Sequence, residues 1–193
     1  MYPPNDIVAV GPDRFFATND SYFADDFLLI AEKFLRLPIN NVVYYDGNRF
    51  NVSITTLAFP NGINVAPDGS ALYVATWGGR DVHLYDRDPV SGVLTNRRLV
   101  DLPGSPDNIE VMPDGQLIIG VHSRIAKLFF DTANAPSRVV RVDPQTETME
   151  IIFDNDGSEI VGASVGSLYD DRLIVGAIAD PRILDCTFDG QSN

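Results

Sequence analysis

Short apolar runs along this chain are cut by Pro-Asp turn signals, and one ten-residue phrase recurs. Its clearest copy is Pro60-Asn61-Gly62-Ile63-Asn64-Val65-Ala66-Pro67-Asp68-Gly69. It returns 46 positions later as Pro106-Asp107-Asn108-Ile109-Glu110-Val111-Met112-Pro113-Asp114-Gly115. In both copies amide or carboxylate side chains precede an Ile-x-Val strand, and Pro-Asp-Gly then reverses the chain. Asn5-Asp6-Ile7-Val8-Ala9-Val10-Gly11-Pro12-Asp13 is an earlier, looser copy. A last copy runs from Gly162-Ala163-Ser164 through Asp170-Asp171 to Gly176, with no amide or carboxylate at its head. A strand-turn-strand unit repeating every ~40–50 residues is the sequence pattern of propeller blades. Four copies predict an all-β chain of about four blades, forming one partial β-propeller domain over residues 1–193.

Between the copies, Val42 to Phe50 reads as a hairpin turning at Asp46-Gly47. Asp81 to Asp86 alternates as an outer strand, Ser91-Gly92 opens the next strand pair, and Lys127–Phe130 and Arg138–Pro144 follow. One segment breaks the β pattern. From Ser21 to Leu37, Phe23, Phe27, Ile30, Phe34 and Leu37 recur at spacings of four and three, the period of one helix face. Asp20 or Ser21 can cap this helix, Asp25 and Asp26 suit its first turn, and Pro38 stops it. Its apolar stripe is expected to pack across the end of the sheets. A lid over a pocket or a membrane-surface helix is the alternative, and the acidic flanks weigh against the membrane.

A net charge of −13, from 27 acidic and 14 basic residues, repels nucleic acid and favours cations. No apolar run is long enough to span a bilayer as a helix. Met1-Tyr2-Pro3-Pro4 lacks the basic and apolar regions of a signal peptide. Cys186 is the sole cysteine, which leaves no internal disulfide and no cysteine-rich metal site. Asn51-Val52-Ser53 is a glycosylation sequon that matters only in a secreted protein.

In a propeller the innermost strand of each blade begins near the central channel, so equivalent positions converge on the axis. Asn5, Asn61, Asp107 and Asn108 occupy those positions and carry hard oxygen atoms. Amides mixed with carboxylate, without Cys or His, suit calcium rather than zinc. Six to eight oxygens are needed, so further ligands would be required. Asn and Asp also terminate strands and make turns, which is the competing explanation.

Asn5 to Pro12, Thr18-Asn19-Asp20-x-Tyr22-Phe23, Val42-Val43-Tyr44-Tyr45, Asn61-Gly62-Ile63-Asn64 and Asp107-Asn108-Ile109 together resemble the paraoxonase/arylesterase family, over about Asn5 to Cys186. The resemblance implies a six-bladed propeller with two calcium ions in its tunnel, hydrolysing lactones, aryl esters and, in some members, organophosphates. It assigns Asn5, Asn61, Asp107 and Asn108 to the catalytic calcium and Asp6 to the structural one. That upper ion would polarise the carbonyl or phosphoryl oxygen as water attacks. Phe59 and His122 match pocket-lining positions. For His122 a strand-end histidine with a satisfied hydrogen bond is equally compatible, and His83 reads as structural. No catalytic residue is carried over, and no organic cofactor is implied.

The resemblance begins in the middle of the family's ring. The acidic residues that complete both calcium sites, and the histidine pair assigned to activating water, belong to an earlier blade. Cys186 matches a cysteine that, in the family, closes the ring by a disulfide to the N-terminal strand. The expectation is therefore a calcium-dependent lactonase or arylesterase in a truncated or incomplete copy, with weak calcium binding and little activity alone. A non-catalytic propeller scaffold is the alternative. The implied partners are a small ester or lactone, a membrane surface through the helix at 21–37, and other copies of the same protein through open blade edges. The family is often secreted or membrane-associated.

Overall fold

The computed structural model describes residues 4–124 and 135–188. Strands β1 (Ile7–Gly11), β2 (Arg14–Asn19), β3 (Asn40–Tyr45) and β4 (Phe50–Leu57) form one four-stranded antiparallel sheet in sequence order. The next sheet is β5 (Pro60–Val65), β6 (Ala71–Thr76), β7 (Asp81–Arg87) and β8 (Leu94–Asp101), again in sequence order. A third has β9 (Ser105–Val111), β10 (Leu117–His122), β11 (Ser137–Asp143) and β12 (Thr148–Asn155). The last has three strands, β13 (Ala163–Tyr169), β14 (Arg172–Ala177) and β15 (Ile183–Thr187). Four up-and-down sheets match the four copies of the phrase. The strand expected at Lys127–Phe130 lies outside the described residues.

The protein divides into two compact units, Met1–Leu99 and Val100–Asn193. In the first, Phe16, Val42, Tyr44, Leu57, Ile63, Leu72 and Val74 bury a shared core between two sheets. Phe16 stacks on Tyr44 with ring centroids 4.4 Å apart. In the second, Ile118, Val139, Ile160, Leu173 and Val175 do the same work. Each large side chain buried this way contributes about 1.5–3 kcal/mol. Strands β6, β7 and β10 are buried at nearly every position, so both faces of these strands are covered.

The repeat is visible at atomic detail in its turns. After β5, Gly69 N–H donates to the Ala66 carbonyl at 2.8 Å and Asp68 Oδ1 accepts the Ser70 N–H at 2.9 Å. After β9, Gly115 N–H donates to the Met112 carbonyl at 2.8 Å and Asp114 Oδ1 accepts the Gln116 N–H at 3.0 Å. Both glycines take positive φ, 74° and 88°, a backbone region that a Cβ disfavours. The expected hairpin joins β3 to β4, with Asp46 Oδ1 accepting the Asn48 and Arg49 N–H groups.

The inserted helix differs from expectation in length and orientation. It is α1 (Asp26–Leu35), ten residues rather than the whole of 21–37. Asp25 is its N-cap and accepts from the Phe27 and Leu28 N–H groups; neither Asp20 nor Ser21 serves. It ends in a left-handed Arg36, φ 52°, one residue before Leu37 and ahead of Pro38. The apolar stripe does not pack across the sheets: Phe27 is 77% and Phe34 85% exposed, and Ile30 and Leu35 are also exposed. The buried residue is Glu32, at 2% exposure. Its carboxylate accepts the Tyr22 and Phe23 N–H groups and the Asn40 amide at 2.7 Å, which orders the loop before the helix. Three donors converging on one carboxylate outweigh burial of the apolar face.

Candidate functional site

The candidate ligands of the second and third sheets sit in β-bulges. Pro60 pairs with Thr76 and Ile63 with Val74, so Asn61 and Gly62 together oppose Ala75 alone. Pro106 pairs with Val121 and Ile109 with Ile119, so Asp107 and Asn108 together oppose Gly120 alone. The last sheet repeats the device in reduced form, with Ser164 as the extra residue between Ala163 and Val165. A bulge breaks the strict alternation of a strand and re-aims a side chain at the point of insertion. Here the re-aimed residues are those at the head of the phrase. No residue-pattern rule announces these bulges, although the doubling of polar residues before Ile-x-Val is their trace.

In the first unit, Asn5, Asp6 and Asn61 are tied together through Thr18. Asn5 N–H donates to the Thr18 carbonyl at 2.9 Å, and Thr18 Oγ1 accepts the Asp6 N–H at 3.0 Å. The same hydroxyl donates to the Asn61 carbonyl at 2.8 Å, and Thr18 is fully buried. Asp6 extends the clip: Oδ1 accepts the Ile7 N–H at 2.7 Å and Oδ2 accepts the Ile63 N–H at 2.9 Å. Asn5 Nδ2 donates to Asp20 at 3.2 Å. Asn61 is buried at 7% exposure. Thr18 heads one of the motifs that carry the family resemblance, but its part in tying Asn5, Asp6 and Asn61 together emerges only from the fold.

Phe59, one residue before β5, takes φ 55°, a conformation that costs a bulky side chain about 1–2 kcal/mol. Its carbonyl accepts the Trp77 N–H at 2.9 Å and its ring meets Trp77 edge-on at 5.2 Å. On the helix side, Lys33 Nζ stands 4.3 Å from the Phe59 ring centroid.

In the second unit, Asp107 Oδ2 lies 3.9 Å from His122 Nε2, both residues being buried. Asn108 Nδ2 donates to Ser164 Oγ at 2.9 Å, so the carboxylate-free head of the last copy supports the amide of the previous one. Burial lowers the His122 pKa, with the Asp107 charge and a hydrogen bond to the Ala163 backbone opposing it. Burial thus favours the neutral ring over the imidazolium. The Asp107 carboxylate beside this ring is a group that a divalent cation would complement. Oxygen donors and a net negative charge fit calcium, and no soft ligand competes. Among the described residues there is no cluster of three or more His, Cys, Asp or Glu poised to hold a metal, so amides would make up part of any site. A cleft of about 670 Å³ also lies in this unit, bordered by Arg124, Arg138, Asp154 and Ser158, none of which is a candidate ligand.

His83 is structural in its surroundings. Nε2 lies 3.3 Å from Asp81 Oδ1, and Nδ1 faces the Tyr85 hydroxyl at 3.2 Å and Arg97 Nε at 3.3 Å. Arg97 can only donate, so Nδ1 accepts and the ring proton sits on Nε2 toward Asp81.

Residues 2–188 match the family model described as Arylesterase. The serum paraoxonase/arylesterase 2 of Bos taurus is 37% identical over 180 residues, covering 90% of this chain and 51% of that protein. The serum paraoxonase/arylesterase 1 of Homo sapiens is likewise 37% identical over 180 residues, covering 90% and 50%. The chain thus spans about half the length of these curated relatives. Among solved structures, a gluconolactonase from Xanthomonas campestris superposes with a TM-score of 0.60 at 20% identity, over 90% of this chain and 54% of that one. The calcium-binding protein regucalcin from Agrobacterium tumefaciens gives 0.58 at 14% identity, over 89% and 52%. These structural likenesses carry the β-propeller fold, while the family model reaches across the phrase copies, the helix and both units: the chain belongs to the arylesterase family.

Proposed function

We propose that this protein supplies part of a calcium-dependent site hydrolysing lactones or aryl esters. The observation that supports the reading best is the shared bulge that presents Asn61 in one sheet and Asp107-Asn108 in the next. Asn5, Asn61, Asp107 and Asn108 are the proposed ligands of the catalytic ion. Calcium, when bound, would supply electrophilic polarisation of the scissile carbonyl. The protein's own groups orient and enclose: Thr18 fixes the Asn61 backbone, Ser164 holds the Asn108 amide, and Phe59 offers an aromatic wall. Neutral His122 can accept a hydrogen bond from a substrate or water beside Asp107.

Asp6 is proposed at the structural calcium by family resemblance. Its two oxygens already receive backbone N–H groups, so here it also acts as a clip between β1 and β5.

Isothermal titration of the full protein with calcium, alongside phenyl acetate and γ-lactone hydrolysis with and without chelator, tests the reading. The expected result is calcium binding weakened at least about tenfold by Asn61→Ala or Asp107→Ala, with any hydrolysis abolished by chelator. Calcium affinity unchanged in both variants would reject the ligand assignment and leave a scaffold.

A further inference from the structure

Six arginines of this acidic protein are spent on carboxylates, Arg49, Arg98, Arg138, Arg141, Arg172 and Arg182, while Arg14 and Arg87 donate to backbone carbonyls and Arg97 to His83. Lys33, Arg36 and Arg80 form no ion pair among the described residues, and the three are gathered at one place. Lys33 lies in the last turn of α1 and Arg36 is its C-cap, three residues on. Lys33 Nζ sits over Phe59, Phe59 touches Trp77, and Arg80 follows in the turn that Trp77 opens. Arg36 is held below the ordinary arginine range, first by burial and then by the like charge of Arg80. The like charge of Arg80 acts against Arg36, at a cost that an anion beside them would relieve.

Helix-dipole stabilisation alone accounts for basic residues at a helix end. It does not account for Arg80, which belongs to the β6–β7 turn, nor for Lys33 reaching across to an aromatic ring. Phe59 is two residues from the bulge position of Asn61, so this cationic-aromatic cluster borders the proposed ester site.

We propose that Lys33, Arg36 and Arg80, with Phe59 and Trp77, form a subsite for the anionic group of an aromatic or acyl carboxylate, and that the protein prefers substrates or products carrying one. The substrate preference rests on the hydrolase reading, whereas the binding itself does not. The partly exposed Phe59 ring, backed edge-on by buried Trp77, takes the apolar body of such a ligand and the cations its charge. For an ester or lactone hydrolase the carboxylate product fits the same description, so the cluster would also retain product.

Trp77 is the sole tryptophan, and its contact with Phe59 makes its emission a direct reporter. The full protein, in EDTA so that neither calcium nor turnover is involved, is titrated with benzoate and separately with neutral benzyl alcohol. The expected result is a saturable benzoate response, weakened by about 0.5 M salt and at least about fivefold weaker in Lys33→Met and Arg80→Ala. Lys33→Arg should stay within about twofold of wild type, and benzyl alcohol should not distinguish the variants. Circular dichroism melts confirm that the variants fold. Absence of a saturable benzoate response in wild type, or equal benzoate affinity in wild type and Lys33→Met, overturns the proposal. If the titration succeeds while the calcium-supplemented protein hydrolyses no ester, the hydrolase reading fails alone and the anion subsite stands.

Discussion

Asp6 Oδ2 accepts the backbone N–H of Ile63 at 2.9 Å, joining the head of β1 to the strand that carries Asn61. The other oxygen accepts Ile7 N–H, so one carboxylate satisfies donors on two strands, the longer link spanning 57 residues of sequence. Charge-assisted bonds of this kind contribute about 1.5–3 kcal/mol, and removing the acceptor leaves both amides searching for water. Asp6→Ala is expected to lower unfolding free energy by about 2–3 kcal/mol in urea titration, and Asp6→Asn by less. Unchanged stability in Asp6→Ala would show that the clip is idle without calcium.

Glu32 gives a second prediction, because burial and polarity are inverted in α1. Glu32→Ala strips the acceptor from Tyr22 N–H, Phe23 N–H and the Asn40 amide. The loss should be about 3 kcal/mol, near the upper end for a single buried polar group, with Glu32→Gln intermediate. Hydrogen exchange at the amides of Tyr22 and Phe23 should accelerate in step. Exchange that stays slow in Glu32→Ala would mean that other contacts hold the loop.

The helix also shows where the sequence is hard to read. Period and acidic start are visible in Phe27, Ile30 and Phe34, so the element and its approximate place are legible. Which face turns inward is not, since apolar spacing states only that one side differs from the other. Glu32 and Lys33 win because their partners, Asn40 and Phe59, come from other elements. The opposite holds for the phrase copies: Pro-Asp-Gly fixes its turn through local hydrogen bonds, so four sheets follow from the pattern alone. The bulges at Asn61 and at Asp107-Asn108 lie between these extremes. Their residues are conspicuous in the sequence, but an extra residue in a ladder is defined only against the partner strand.

A third prediction concerns pH. Burial raises the Asp81 pKa, but hydrogen bonds from His83 and Thr76 and the charge of Arg97 outweigh it, so the carboxyl titrates below the ordinary aspartate range. A group depressed in the folded state contributes its stability fully above its unfolded pKa, about 3.9, and loses it as pH falls through the folded value. Asp81→Asn should therefore be less stable than wild type at pH 7 by about 1–2 kcal/mol, with the gap closing below about pH 4. Denaturant titrations at pH 7, 5, 4 and 3 check this. A gap that stays constant down to pH 3 would place the effect of the substitution in packing rather than charge.

Gly120 separates two reasons for a glycine. It stands opposite the Asp107-Asn108 bulge, and a Cβ there would meet the carbonyl carbon and oxygen of Ser164 at 2.5 Å. Backbone atoms do not rotate away as the tip of a side group does, so Gly120→Ala must push β10 from β13, at about 1–3 kcal/mol or more. Gly115, five residues earlier, has open space around it but φ +88°, so its substitution costs only backbone strain of about 1–2 kcal/mol. Gly115→Asn, a residue tolerant of that region, should recover part of the loss, whereas no larger residue recovers Gly120. Hydrogen exchange distinguishes the two further. Gly120→Ala should loosen the amides around Ser164, where Asn108 is held, while Gly115→Ala should leave them protected. Equal protection at Ser164 in both variants would break the link between close strand approach and the seating of the candidate ligand.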